Sequence, residues 1–387
     1  MTVEYRAIRM TELDECLDLW DRAFAHTPIE YFAPYFHNDP CFTPEYTRVC
    51  KVDGRLVSAV QICERRIRVG NVSLLMGGIG NVGTDPVFRG QGHSTRLIED
   101  SIGAMESARM DFSLLYTGIN PFYERLGWRG IPNSFYTGRL KESLNDTQYE
   151  SLRPCNWDED IDAIISIYDE FNKSRSGTAI RTRKYWMQWV KARSGNGSSF
   201  LIADDEDGIS GYIQCNYDAE NIWLREIGYR PDDYLTAERL INAAISEAHV
   251  KGVRTLWSHL PDESEILDIL FRNTESIEKR YSSGGMYRII NIESMLNRLQ
   301  LELSDRLISR GVPSCILHID ADGDSHEAFI RGSSPDRPIQ INLGWCDFIS
   351  LMFSLNDTQH ITDSEIKPVF EALFPISHTV SWSLDHF

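Results

Sequence analysis

Asn81-Val82-Gly83-Thr84-Asp85-Pro86-Val87-Phe88-Arg89-Gly90-Gln91-Gly92-His93-Ser94-Thr95 is the stretch on which the fold turns. Its first four residues end a strand, Asp85 to His93 form a loop, and Ser94-Thr95 open a helix. Gly90 and Gly92 leave backbone N–H groups unobstructed, and the helix start adds the positive end of its dipole. Such a loop holds a phosphate, and a nucleotide pyrophosphate is the expected anion.

Downstream, Leu97, Ile98, Ile102 and Met105 recur at helical spacing, which lays one face of that helix on a sheet. Asp111 to Thr117 reads as a compact buried strand. Asn120 and Pro121 supply a cap and a first-turn proline for a helix carrying Phe122, Tyr123 and Leu126, which Gly127 ends. Trp128 to Gly138 begins a further strand. Upstream, residues 4 to 8 form an edge strand, and Thr11 caps a helix with Leu13, Cys16, Leu17, Trp20 and Phe24 on one face. Tyr46 to Val52 and Arg55 to Ile62 pair about Asp53-Gly54, a strong hairpin signal, and Val72 to Val82 leads into the glycine loop.

After a polar linker over 141–153 the same order begins again. Asp158 to Phe171 is an amphipathic helix, Ser199 to Ala203 and Ile209 to Tyr217 are paired strands, and Asn221 to Ile227 leads to a helix from Thr236 to Val250. At the equivalent loop, Tyr229-Arg230-Pro231-Asp232-Asp233-Tyr234 has no glycine pair, and two aspartates there repel a phosphate. This second unit is therefore expected to hold no cofactor. A third section follows Ser282-Ser283-Gly284-Gly285: a strand from Met286 to Asn291, a helix opened by Ile292, and short strands at Ser314 to Ile319, Glu327 to Arg331 and Ile339 to Leu343. Asp320, Asp322 and Asp324 alternate, but with glycine at Gly323 and Arg331 at the twelfth place they read as a solvated turn rather than a calcium loop. His318 and His326 beside it read as structural, and no metal is expected. Trp345, Phe348, Ile349, Met352 and Phe353 form the apolar face of a helix, most simply in this section's core, with the lining of a ligand site as the alternative.

The 387 residues suffice for two or three domains, with 42% hydrophobic and 25% charged residues and a formal net charge of −18. That charge opposes binding to nucleic acid and favours cationic ligands such as amines. No run approaches the roughly 18 apolar residues of a membrane span, and Glu4, Arg6 and Arg9 interrupt any signal sequence, so no membrane partner and a cytoplasmic location are expected. The eight cysteines form no Cys-x-x-Cys pair and are expected to be reduced.

The Arg89-Gly90-Gln91-Gly92 loop after the fourth strand, with Asn120-Pro121-Phe122-Tyr123-Glu124-Arg125-Leu126-Gly127-Trp128 after the fifth, resembles the GNAT superfamily of N-acetyltransferases. The family's Arg/Gln-x-x-Gly-x-Gly/Ala pattern falls on Arg89, Gly92 and Ser94, with serine in the last place. The three-part plan, over essentially the whole chain, is similar to the Eis-like acetyltransferases. That resemblance implies an α/β fold of mixed sheets: two tandem GNAT-fold domains at 1–145 and 146–284, then a sterol-carrier-like α+β domain at 285–387. It further implies acetyl-CoA as co-substrate, an amine of a small cationic molecule as acceptor, and a homo-oligomer, hexameric in that group. Val82, Gly83 and Thr84 would pair with the pantetheine arm, Arg89, Gly90, Gln91, Gly92, His93, Ser94 and Thr95 would hold the pyrophosphate, and Gly118, Ile119 and Asn120 would complete the cofactor set. Tyr123 matches the tyrosine that protonates the leaving thiolate, and the carboxylate of Phe387 matches the family's terminal base.

The chemistry asks for these two groups. Acyl transfer to an amine requires a neutral amine, a donor to the developing oxyanion and a proton for the departing sulfur. An alkylammonium has a pKa of about 10, so a base must act, and even a weak carboxylate serves when held close. Two other classes stay open on the sequence: a protein lysine or N-terminal acetyltransferase, and a lipid-binding scaffold with a vestigial acetyltransferase core.

Overall fold

The computed structural model describes residues 2–142, 152–195, 198–282, 285–321, 323–334, 337–353, 363–375, 380, 382 and 385–387. Much of the expected linker at 141–153, Asp322, and parts of the 282–285 turn and of the chain's end lie outside the described residues.

The first sheet grows from the hairpin Arg55–Val69 and Val72–Thr84, closed by Val69 opposite Val72. Its strands run far beyond the expected Ile62, with almost every residue buried, because both faces are covered. Thr47–Val52 and then Val3–Ala7 extend it antiparallel on one side. On the other, Phe112–Tyr116 pairs with Val72–Thr84 in parallel, the helix His93–Ser107 making the crossover. Leu97, Ile98 and Met105 pack that helix on the sheet, as its spacing predicts. Thr11 caps nothing: a short turn at Met10–Glu12 precedes the helix Leu13–Ala23, and Glu12 accepts from the Arg9 N–H at 3.0 Å. A helix at Ile29–His37, unread in the sequence, covers the same face through Phe32 and Phe36.

A second sheet repeats the plan. Ser198–Asp205, Gly208–Tyr217 and Asn221–Tyr229 form an antiparallel meander, and the helix Tyr234–Val250 leads to the parallel strand Thr255–Ser258. The tandem reading rests on this repetition. Asp233 accepts from the Thr236 N–H at 3.1 Å, so a carboxylate occupies the helix start that the first unit leaves open.

Two strands cross the expected bounds. Asn133–Leu140, read as part of the first domain, pairs with Thr255–Ser258 and Thr274–Ser282 in the second sheet. Gly285–Ile289, read as the opening of the third section, pairs with Phe112–Tyr116 and Arg129–Gly130 in the first. Each unit thus completes its sheet with the other's neighbouring segment, and the expected strand over Trp128 to Gly138 is split between them.

The third section packs a three-stranded sheet of Asp324–Ile330, Cys315–Ala321 and Ile339–Gly344 beside the helices Ile292–Ser309, Trp345–Phe353 and Ile366–Leu373. Its apolar residues do not close on themselves. Leu296, Leu303, Leu317, Phe348 and Phe353 share one core with Ile67, Leu74, Met76, Phe112 and Leu114 of the first sheet. His318 bonds Gln340 at 2.7 Å, and among the described residues no cluster of His, Cys, Asp and Glu fits a metal ion.

Candidate active site

The site begins where two strands part. Val72–Thr84 and Phe112–Tyr116 stay paired only from Met76 opposite Phe112 to Ile79 opposite Leu115. From Gly80 onward, among the described residues, the first of them keeps only its antiparallel neighbour. That pairing contains a bulge between Ala59 and Gln61, with Asn81 at φ 51° and its amide donating to Gln61 Oε1 at 2.9 Å. A bulge twists a strand and re-aims its polar groups, here toward the open side at Val82, Gly83 and Thr84. Gly83 is small for a different reason: a Cβ there would lie 2.8 Å from Trp20.

The glycine loop continues from this edge. Asp85 accepts from the Val87 N–H at 3.1 Å and from Arg22 at 3.1 Å, which fixes the turn. Gly90 and Gly92 take φ of 78° and 82°, a region that a side chain disfavours, and nothing lies within 4 Å of a Cβ added to either. Among the described residues, the backbone N–H groups from Gly90 to Thr95 make no internal hydrogen bond. Open N–H groups at a 15-residue helix start suit a pyrophosphate. Two side chains behave differently. Arg89 turns back to donate to the carbonyls of Thr84 at 3.2 Å and Ala23 at 2.8 Å, bracing the loop. The His93 ring is buried against the Tyr5 hydroxyl at 2.8 Å and Cys50 Sγ at 3.4 Å, leaving its backbone alone to face the loop.

Tyr123 lies in the short helix Asn120–Glu124, whose cap position is Ile119 rather than Asn120. Its ring meets Phe122 edge-on at 4.9 Å and Trp128 at 6.3 Å, in one core cluster with Ile79 and Leu115. Burial pushes the phenol up to about 12, so it stays protonated at neutral pH. Gly118 and Ile119 are exposed beside it, and Asn120 is half-buried.

The last residue arrives from the opposite face. A Cβ on Gly78 would lie 2.2 Å from Phe387 Cζ, and one on Gly80 would lie 3.5 Å from the terminal carboxyl carbon. Gly78 and Gly80 share a face with Met76, whereas Ile79 points to the side of Tyr123. Tyr123 and Phe387 thus flank one splay from its two sides. His386 stacks on Tyr116 at 4.0 Å, and the Phe387 ring lies 6.0 Å from the same tyrosine.

The second unit holds this end in place. Arg181, fully buried, donates to Asp385 at 2.9 and 2.8 Å and to Glu226 at 2.8 and 2.7 Å. The Tyr185 hydroxyl donates to Asp385 at 3.0 Å and the Tyr212 hydroxyl to Glu226 at 2.9 Å. Trp382 donates to Asn172 at 3.1 Å, and the Val380 N–H to the Ser176 carbonyl at 2.8 Å. None of these anchors was read from the sequence. The glycines at 78 and 80 were the available signal, since paired glycines inside a strand mark a close approach.

Residues 4–131 match the family model described as acetyltransferase (GNAT) domain. Three solved structures align over the whole of this chain and of their own. A probable N-acyltransferase of Enterococcus faecalis, titled a conserved protein of unknown function, does so with TM-score 0.73 and 15% identity. A GCN5-related N-acetyltransferase of Anabaena variabilis gives 0.70 and 16%, and Eis1 of Mycobacterium abscessus gives 0.64 and 11%. No curated protein sequence matches the chain.

Proposed function

We propose an acetyl-CoA-dependent N-acetyltransferase acting on a small amine, a reading supported by the match of residues 4–131 to the acetyltransferase (GNAT) domain model and by the fold shared with Eis1. The observation that carries this reading is the seating of Phe387 on Gly78 and Gly80, at the splay that continues into the open N–H groups of the glycine loop. Acetyl-CoA supplies the acetyl thioester. The residues present fit it: Gly80 to Thr84 offer unpaired strand edge to an extended arm, and Gly90 to Thr95 offer donors to a pyrophosphate.

The chain's own groups divide the proton work. The terminal carboxylate of Phe387 takes a proton from the incoming ammonium, directly or through water. His386 beside it is held neutral, its pKa pushed well below the usual 6.5 by burial and then by nearby cations, so it adds no charge to repel the amine. Tyr123, protonated through the physiological range, donates to the departing sulfur from the other face. Asp385 and Arg181 act one step away by fixing where the chain ends. The second unit, with Asp233 capping its helix, takes no cofactor in this reading.

A lipid-binding scaffold is less favoured, because the third section spends its apolar residues on the first sheet. Assembly as a homo-oligomer, hexameric by the resemblance, and a cytoplasmic location belong to the same proposal; no described helix is long and apolar enough to cross a membrane. The test is thiol release from acetyl-CoA with a panel of small amines, for the native chain and for one extended at its C-terminus. Turnover unaffected by the extension removes Phe387 from the mechanism.

A further inference from the structure

The second sheet ends on an open strand. Thr274–Ser282 pairs with Asn133–Leu140 along one edge, and among the described residues no strand lies along the other. Thr274 is buried and Ile277 packs on the second unit's core, but Glu275, Ser276 and every residue from Glu278 to Ser282 are exposed, so side chains stand open on both faces. Behind this strand, Asn133–Leu140 is joined by Thr255–Ser258 only from Tyr136 to Arg139. Arg280 and Tyr281, opposite Phe135 and Ser134, thus belong to a ribbon of two strands among the described residues. Such a ribbon is marginal without a third strand.

Other sheet ends are guarded. Arg129–Gly130 and Arg153–Pro154 are only two residues long, and the second contains a proline. Asp324–Ile330 carries Asp324 and Glu327 and no Lys or Arg, so two such edges repel one another. Val3–Ala7 is short, and its Arg6 is forked on Glu12 at 2.8 and 2.7 Å. Thr274–Ser282 differs in holding both signs in separate halves, Glu275 and Glu278 and then Lys279 and Arg280. Within the chain these meet surface partners: Glu275 meets Arg139 at 3.4 Å, Glu278 meets Arg280 at 2.6 Å, and Lys279 meets Asp262. Exposed pairs of this kind contribute little by themselves. In-register parallel pairing with a second copy would set like charges together. Antiparallel pairing sets the acidic half of each copy against the basic half of the other, with Glu278 opposite Lys279 when the two-fold axis passes between them. Apolar surface flanks the edge: Phe271, on the helix Ser264–Asn273 that packs against this strand, is 53% exposed and Tyr281 is 57% exposed. Large apolar side chains beside an open edge suit the core of an interface.

We infer that Thr274–Ser282 is the two-fold contact through which copies of this chain assemble. Two copies join edge to edge, antiparallel, into one continuous sheet, with Phe271 and Tyr281 covering the seam. This deepens the homo-oligomer reading and rests on it, and it is independent of acetyl transfer.

The test is analytical ultracentrifugation of the full-length protein. The native chain should form an even-numbered assembly. Glu275→Lys with Glu278→Lys leaves only positive charge on the edge, and Lys279→Glu with Arg280→Glu leaves only negative charge. Each pair of changes should halve the assembly mass while circular dichroism and Tm stay near native. An equimolar mixture of the two variants should return to the native mass, because each supplies the charge the other needs. All four changes in one chain should restore it as well. A monomeric native chain overturns both this inference and the homo-oligomer reading. A native assembly whose mass neither variant changes overturns the edge contact alone, as does a mixture that stays at half mass.

Discussion

The ring of Phe387 occupies the space that a side chain on Gly78 would need, with an added Cβ falling 2.2 Å from Cζ and 2.4 Å from Cε1. Gly78→Ala should therefore push the terminal residue off the sheet without touching the glycine loop. The expected result is a fall in kcat of about tenfold to a hundredfold with the KM for acetyl-CoA nearly unchanged. Deleting Phe387 should act in the same way, and the double change should cost little more than either alone. Independent, multiplying losses in steady-state kinetics would break the link between the two positions.

Tyr123→Phe leaves ring packing against Phe122 and Trp128 intact and removes only the hydroxyl. Expected is a drop in kcat of about a hundredfold, with acetyl-CoA binding by calorimetry preserved. The group's raised pKa, about 12, adds a second reading: no loss of activity from this phenol should occur below pH 10 in the native protein. Wild-type turnover in the variant would falsify the acid role.

At Gly92 the backbone has φ 82° and open space around the missing Cβ, so substitution meets no protein atom. Any effect comes from the backbone angle and from the side chain standing where the anion approaches. Gly92→Val should raise the KM for acetyl-CoA about tenfold or more, with a smaller change in kcat. The opposite split, kcat lost with KM kept, would move the pyrophosphate elsewhere.

Much of this arrangement was legible in the chain because it is local. The glycine loop, the helix after it and the Asp53-Gly54 hairpin each show their structure within some fifteen residues. The exchange of Asn133–Leu140 and Gly285–Ile289 between sheets was not legible, since alternation marks a strand and not its partner. The helix Ile29–His37 was hidden by Pro34 within it, and the turn Trp186–Val190 by its departure from α-helical spacing. Phe387 entered through family resemblance alone, while Gly78 and Gly80 carried a physical sign of its docking place.

Glu12 gives the fold a defined acid sensitivity. Hydrogen bonds from Arg6, opposed by burial and aided by the Arg9 N–H and Lys51, hold its carboxyl at about 2, against an ordinary 4.5. Because the folded value is the lower one, its contribution is full above about pH 4.5 and is lost as pH falls toward 2. After allowance for partial solvent screening this amounts to about 2 kcal/mol. Glu12→Gln should lower stability at pH 7 and flatten the decline between pH 5 and 2, as read by urea denaturation at each pH. A variant that keeps the native slope would assign that decline to other carboxylates.

The buried pair of carboxylates around Arg181 separates stability from catalysis. Arg181→Met leaves both Glu226 and Asp385 desolvated without their cation, and should cost about 3–5 kcal/mol, visible as a lower Tm and urea midpoint. Asp385→Asn is milder, since Arg181 keeps its fork on Glu226 and the amide still accepts one bond. What that variant loosens is the tether two residues before the chain's end. Its kcat should fall together with that of Gly78→Ala while most of the stability survives. Arg181 with Glu226 would then serve the fold, and Asp385 the placement of the terminal carboxylate. Equal and large losses of stability in both variants would instead make the tether a structural element, and the seating of Phe387 a consequence of folding rather than a separately adjustable part of the site.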